Sequence, residues 1–381
     1  MRIHILLTSD ATSVSETFFR KTIEDFQENG WEVIIVSGKK KGDRENTIYT
    51  GFATPSLLAR AWKFMAFLKE FPQTVDFYDK VHWALRRDSA SRRLTKRLKN
   101  EKIEFLLVEY VESAVRASKF LNDCEVPFCV CAHGYDASKM LASSAYCEAI
   151  RGLRPEFILA ASEHLKRRLV LIGVDEKAIF VQPVDAQVFI CDSQLADIDF
   201  LSIGRFVEKK CPIALVHAME LVVRDFPEAR MMMVGDGPFW LEVKNRILQK
   251  NLSKNIELTG ALSHQEALKM LNRSKVFVQH SVTSSSGDQE GYPTAISEAM
   301  LAGLPVISTR HSGITEAVIE GETGLLVQEH DYLGFGEAMI KLLKSKDLRQ
   351  KMGKNAKRRV LNINPSGKRV KVILALMRAY D

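Results

Sequence analysis

Short, nearly continuous apolar runs alternate with segments of helical spacing along most of the chain. Ile3–Thr8 (IHILLT) reads as a first strand. Over Phe18–Asn29, Phe19, Ile23 and Phe26 recur at helical spacing; Gly30 stops that helix and WEVIIVSG supplies a second strand. Phe105–Val108 and Phe128–Ala132 read as buried strands, each followed by a helical stretch, and Phe157–Ala160 (FILA) as another. This alternation predicts a parallel sheet covered by helices on both faces.

The series then restarts. FLSIG at Phe200–Gly204 is a strand with a tight turn, followed by a helix from about Pro212 to Arg224, and MMMVGDG at Met231–Gly237 repeats the unit. Asn255–Thr259, Val276–Gln279, Pro305–Ser308 and Leu325–Val327 continue it. Between the two series, Val184–Asp199 is weakly periodic and follows Pro183, which places a linker there. The expected domains are 1–186 and 187–365. Residues 366–381, with Val370, Ile373, Leu374 and Met377 at helical spacing, form a helix returning towards the first domain. The fold class is α/β, with two doubly wound domains facing one another across a cleft.

With 381 residues, 46% hydrophobic and 27% charged, the chain is an ordinary globular protein of two-domain size. No apolar run reaches the roughly 20 residues that span a bilayer. The opening MRIHILLTSD is too short for a secretory h-region, so a cytoplasmic location is expected. The six cysteines, Cys124, Cys129, Cys131, Cys147, Cys191 and Cys211, form no CxxC pair and have no histidine cluster beside them. Buried reduced thiols and no structural metal are expected. The net charge is +7, and Lys80–Lys99 carries eight cations against Asp88 alone, an excess equal to that of the whole chain. One basic patch therefore describes the charge better than a nucleic-acid-binding surface. With Trp62, Phe64, Phe67, Phe71 and Trp83 nearby, that patch suits either an anionic membrane surface or a solvated helix face.

The strongest chemical signal is EGYPTAISEAMLAG at Glu290–Gly303. A strand and a polar loop lead into Glu290, Gly291 and Tyr292. Pro293 suits a first helical turn, and Ile296, Met300 and Leu301 face inward until Gly303 ends the helix. Amides of Gly291–Thr294 would stand beside the positive end of the helix dipole, a site for phosphate or sugar oxygens. From spacing alone, Glu290 and Glu298 also fit one capping and one solvated carboxylate. In IGRFVEKKCP, Arg205 and Lys210 flank a helix start and could neutralise a diphosphate, although no GxxxxGK[ST] loop is present. GDGP at Gly235–Pro238 lacks the third glycine of a dinucleotide fingerprint, and a tight turn explains it. Ser13-x-x-Glu16 fits a helix capping box.

Together these pieces resemble the donor-binding half of the family-4 retaining glycosyltransferases. The likeness runs over residues 200–330 through GRFVEKK, MMVGDGP, the Glu290-x7-Glu298 pair and EAVIEGETGLLV. SETFF at Ser15–Phe19 and AHGYDAS at Ala132–Ser138 resemble the subset that assembles bacterial surface polysaccharides. The resemblance implies the GT-B fold, with an acceptor-binding first domain and a nucleotide-sugar-binding second domain. It implies that Arg205 and Lys210 hold the donor diphosphate, that Glu298 binds the ribose hydroxyls, and that Glu290 acts at the donor sugar. Gly291, Tyr292, Pro293 and Thr294 would contact sugar or phosphate oxygens, and His133 the donor sugar from the other domain. It further implies retention of configuration, no metal or other cofactor, and a glycan or lipid-linked acceptor. Cys211 stands where a glycine often follows the lysine, which should tighten that turn. TSDATSVSETFF replaces the glycine-rich first loop of many relatives, leaving an acceptor role for Ser15 and Glu16 open. A sugar-nucleotide epimerase, a nicotinamide dehydrogenase and a non-catalytic glycan-binding protein are the rival readings.

Overall fold

The computed structural model describes residues 2–7, 18–37, 47–49, 87–187 and 196–380. The Ser13–Glu16 motif, the aromatic residues Trp62 to Trp83, Lys80, Arg86 and Cys191 lie outside the described residues. The chain divides into two compact units, 1–183 with 369–381, and 184–368.

The first unit is a parallel sheet in the order β3-β2-β1-β4-β5-β6-β7. Its strands are Arg2–Leu7 (β1), Glu32–Ser37 (β2), Thr47–Tyr49 (β3), Phe105–Glu109 (β4), Phe128–Ala132 (β5), Phe157–Ala160 (β6) and Ile179–Val181 (β7). β4, β5 and β6 are buried at every position, the pattern of strands covered on both faces. Helices Phe18–Glu28, Val111–Asp123, Ser144–Arg151 and Glu163–Leu171 alternate with them. The helix Lys368–Tyr380 buries Val370, Ile373 and Leu374 against Phe19, Phe26 and the strand residues of this unit. The edge strands β3 and β7 have only three residues each, too few for a periodic signal.

The second unit repeats the plan as β10-β9-β8-β11-β12-β13, all parallel. Its strands are Ile198–Ile203 (β8), Met231–Val234 (β9), Ile256–Gly260 (β10), Ser274–Val278 (β11), Val306–Thr309 (β12) and Gly324–Val327 (β13). The three consecutive methionines of β9 are core residues, packed in the two clusters that cover the sheet's faces. Two helices that the apolar pattern did not announce, Tyr332–Lys344 and Lys346–Ile363, close this unit. The basic patch is not the only one in the sequence. Residues 341–371 hold twelve cations against Asp347 alone, a density hidden when the charge of the remainder is summed.

The described cysteines Cys124, Cys129, Cys131, Cys147 and Cys211 are free thiols. No helix of the described residues is long and apolar enough to cross a membrane. Among the same residues, no three His, Cys, Asp or Glu side chains are grouped to hold a metal ion.

Candidate functional site

In the second unit the strand order reverses between β8 and β11, and connections leave their carboxyl ends in opposite directions. Open sheets of this kind bind ligands there. The loop after β8 is Gly204–Cys211 and the loop after β11 runs from Gln279 to Pro293, so topology brings both sequence motifs to one crevice.

The two loops are tied by the charges of Glu208, Lys209 and Lys210. Glu208 accepts from the amide of Ser285 at 2.6 Å and from its hydroxyl at 2.9 Å. Lys209 is buried and donates to Asp288 Oδ1 at 2.9 Å and to the Gln289 carbonyl at 3.2 Å. Lys210 pairs with Glu290 Oε1 at 2.9 Å. Burial presses the Lys210 ammonium towards the neutral form, and Glu290 opposes it; Lys209 and Arg205 are close enough to add to the pressure. Arg205 is exposed, and among the described residues its guanidinium has no partner.

Glu290 and Glu298 are both buried, at 6% and 5% exposure, so neither the capping nor the solvated alternative describes them. Burial alone would raise the Glu290 carboxyl, but Lys210 and Lys209 outweigh it and hold it at about 2. Ser281 donates to its Oε1 at 3.3 Å. The Glu290 amide donates to His311 Nε2 at 3.0 Å, so His311 carries its proton on Nδ1 and donates to Glu329 Oε1 at 2.6 Å. Ser312 donates to the Glu290 carbonyl. Backbone and carboxylate are therefore held independently. His264 Nε2 lies 2.8 Å from Glu298 Oε1, the Gln187 backbone also meets this carboxyl, and burial raises it.

Helix Thr294–Leu301 follows. Pro293 stands one residue before it as the N-cap, with ψ 115°, rather than inside the first turn. Having no N–H, it cannot be one of the expected amide donors, which leaves Gly291, Tyr292 and Thr294. The helix ends in a Schellman motif: Gly303 takes φ +85°, its N–H reaches the Met300 carbonyl at 3.0 Å, and Leu304 N–H reaches Ala299 at 3.0 Å. GDGP is more than a tight turn. A Cβ on Gly235 would lie 1.9 Å from the Gly204 carbonyl oxygen, so the bare glycine lets this turn press on the loop that carries Arg205. Cys211 takes φ 37° in the left-handed region, so its turn keeps a glycine-like shape at the cost of strain.

In the first unit, His133 follows β5. Its Nε2 is 2.9 Å from Glu109 Oε2, and its ring lies 4.6 Å from that of Tyr110. Glu109 is fully buried and also meets Arg369 Nη2 at 2.8 and 3.0 Å. Burial pushes the Glu109 carboxyl up, but Arg369 and His133 overcome this and hold it at about 2. Asp136 accepts from the amides of Val111 at 2.7 Å and His133 at 2.9 Å, so the HGYD turn is pinned to the start of helix Val111–Asp123.

Sequence reasoning named Arg205, Lys210, Glu290, Glu298 and His133 but missed Lys209, His264, His311, Glu329, Glu109 and Arg369. Only His264 left a local trace, since Ser263 and Glu266 form a capping box that places it in a first turn.

Each unit is a parallel sheet wound on both faces, the doubly wound plan of each half of a GT-B fold. Residues 186–359 match the sequence model of the family described as Glycosyl transferases group 1. The chain is 34% identical over 206 residues to the Salmonella typhimurium protein named as a colanic acid biosynthesis glycosyltransferase, WcaL, covering 52% of this chain and 51% of that one. The chain thus matches about half the length of this curated relative. In fold, it is similar over its whole length to sucrose-phosphate synthase from Thermosynechococcus elongatus, with a TM-score of 0.77 and 17% identity, covering 100% of both chains. It is also similar to Anabaena HepE solved with UDP and glucose, with a TM-score of 0.70 and 13% identity over 98% of this chain and 99% of that one. The likeness to glycosyltransferases is shown by sequence over residues 186–359, and the likeness to the solved structures, which runs over the whole chain, is one of fold.

Proposed function

We propose that this protein is a retaining glycosyltransferase that moves a sugar from a nucleotide-diphosphate sugar to a hydroxyl of a glycan or lipid-linked acceptor, without a metal. The observation that carries the reading is the Lys210–Glu290 pair beside the exposed Arg205, at the strand-order reversal and the start of helix Thr294–Leu301.

Arg205 offers a planar fork and Lys210 a point charge to the diphosphate, and the helix start adds its partial positive charge. As the bond between the anomeric carbon and the phosphate oxygen breaks, negative charge grows on the diphosphate, where these groups stabilise it. The acceptor hydroxyl attacks from the same face and gives its proton to the departing phosphate oxygen, so no side-chain base is required. Glu290, kept anionic by two lysines, acts at the sugar where positive charge develops. Glu298 takes the ribose hydroxyls, and His133 contacts the donor sugar. The UDP held by HepE and the role named for WcaL support a sugar nucleotide and a surface polysaccharide.

Incubation with UDP-, GDP- and ADP-sugars tests the reading. Slow donor hydrolysis with retention is expected. Inversion within the sugar would mean an epimerase, and silence a binding protein. Work at the inner face of the cytoplasmic membrane belongs to the same reading. Within 87–99, Arg92, Lys96, Arg97 and Lys99 are exposed opposite buried Ala90, Leu94 and Leu98. Flotation with liposomes should rise with anionic lipid and fall with salt; insensitivity to both refutes the membrane role.

A further inference from the structure

The C-terminal helix brings one charged side chain into the core of the first unit. Arg369 is only 2% exposed, and each of its partners is buried as well. Nη1 donates to Thr22 Oγ1 at 3.0 Å; Nη2 donates to Glu109 at 2.8 and 3.0 Å and to Cys131 Sγ at 3.0 Å. Glu109 Oε2 is also the atom that His133 Nε2 meets at 2.9 Å. A guanidinium has donors and no acceptor, and a carboxylate beside it can only accept. His133 Nε2 must therefore carry the hydrogen in this contact, in the neutral ring as in the charged one.

We propose that Arg369 is a positioning residue for His133: by keeping Glu109 an acceptor, it fixes the imidazole's orientation and its Nε2–H tautomer. For its catalytic meaning this rests on the role of His133 proposed above; the tautomer itself does not. Arg369 is the second residue of helix Lys368–Tyr380, whose Val370, Ile373 and Leu374 anchor in the core formed by Phe19, Phe26 and the strands. The apolar face sets the helix, and the helix sets the guanidinium. Second contacts that orient an imidazole are a general means of assigning its two nitrogens different tasks.

Removing Arg369 alone strands a buried carboxylate, so folding is at risk in that variant. Two others avoid this. Arg369→Met with Glu109→Gln removes both charges together, and Arg369→Lys keeps the charge while losing the fork. Two-bond proton–nitrogen spectra of the full chain, with the histidine rings neutral, should show the His133 Nε2–H form in the wild type and in Arg369→Lys. In the double variant, the amide introduced by Glu109→Gln can donate as well as accept, and the signals should move to a mixture of tautomers. In donor hydrolysis, the double variant should lose at least about tenfold in kcat with KM within about twofold, and Arg369→Lys should recover most of the loss. Wild-type ring signals in the double variant overturn the proposal. Wild-type turnover by His133→Ala would instead remove the catalytic reading of His133 and leave the tautomer result standing.

Discussion

Glu290 and Glu298 are eight residues apart in one motif and equally buried, yet their surroundings drive them in opposite directions. Glu290 faces two lysines, and its carboxyl is held at about 2. Glu298 meets the His264 imidazole and no lysine or arginine among the described residues, and burial raises it. A deprotonated carboxylate locked to a cation is suited to charge that appears during a reaction. A less strongly paired one is suited to hydroxyl groups that hardly change. Burial gives no role by itself; the sign of what is buried alongside does.

The largest effect expected from this contrast is on stability against pH. The Glu290 carboxyl falls from an ordinary 4.5 to about 2, so its ionised form favours the folded state by about 3 kcal/mol at neutral pH. That stabilisation is complete above the unfolded value and is lost as pH falls towards about 2. Glu298 has the opposite sign: its contribution is present below the unfolded value and is lost as pH rises through its folded one. Urea midpoints of the wild type, Glu290→Gln and Glu298→Gln measured from about pH 7 to about pH 3 should therefore diverge in opposite senses. Parallel curves would break the comparison.

Next in size, Glu290→Ala should lower kcat by about a hundredfold while nucleotide affinity changes little, because the side chain counts in the transition state. Steady-state kinetics with calorimetry read both quantities. Glu298→Ala should mainly weaken free nucleotide binding, by about tenfold or about 1.4 kcal/mol, with a smaller effect on kcat. If Glu290→Ala abolishes nucleotide binding and Glu298→Ala leaves it intact, the two roles are reversed. The smallest effect concerns the Lys210 turn. Cys211→Gly relieves a left-handed side-chain conformation and should add about 1 kcal/mol of stability, seen as a raised Tm with the Lys210–Glu290 pair unchanged.

Apart from the three-residue edge strands β3 and β7, the strands of both units were legible because their apolar runs are local and self-contained. Phe128–Ala132, Phe157–Ala160 and Met231–Val234 lie where the runs place them. Helix Thr294–Leu301 was legible through Pro293 and Gly303, although the proline sits just outside it. Helices Tyr332–Lys344 and Lys346–Ile363 passed unnoticed, the second because charged residues dominate it and its buried Met352, Gly353, Ala356 and Val360 make a thin apolar stripe.

The sequence by itself determined the alternation of strand and helix, the restart that makes two units, and the residue types of a phosphate- and sugar-binding crevice. These are set by neighbours within a few residues, through hydrophobic spacing, turn chemistry and helix ends. Only the tertiary structure decided which charges meet. Lys209 reaches across 79 residues to Asp288, His264 across 34 to Glu298, and Arg369 across 260 to Glu109. Attraction between charges depends on their distance in space and on how far water is excluded. Both are products of strand order and helix packing, so the pairs that give Glu290, Glu298 and His133 their different characters exist only once the sheets have formed.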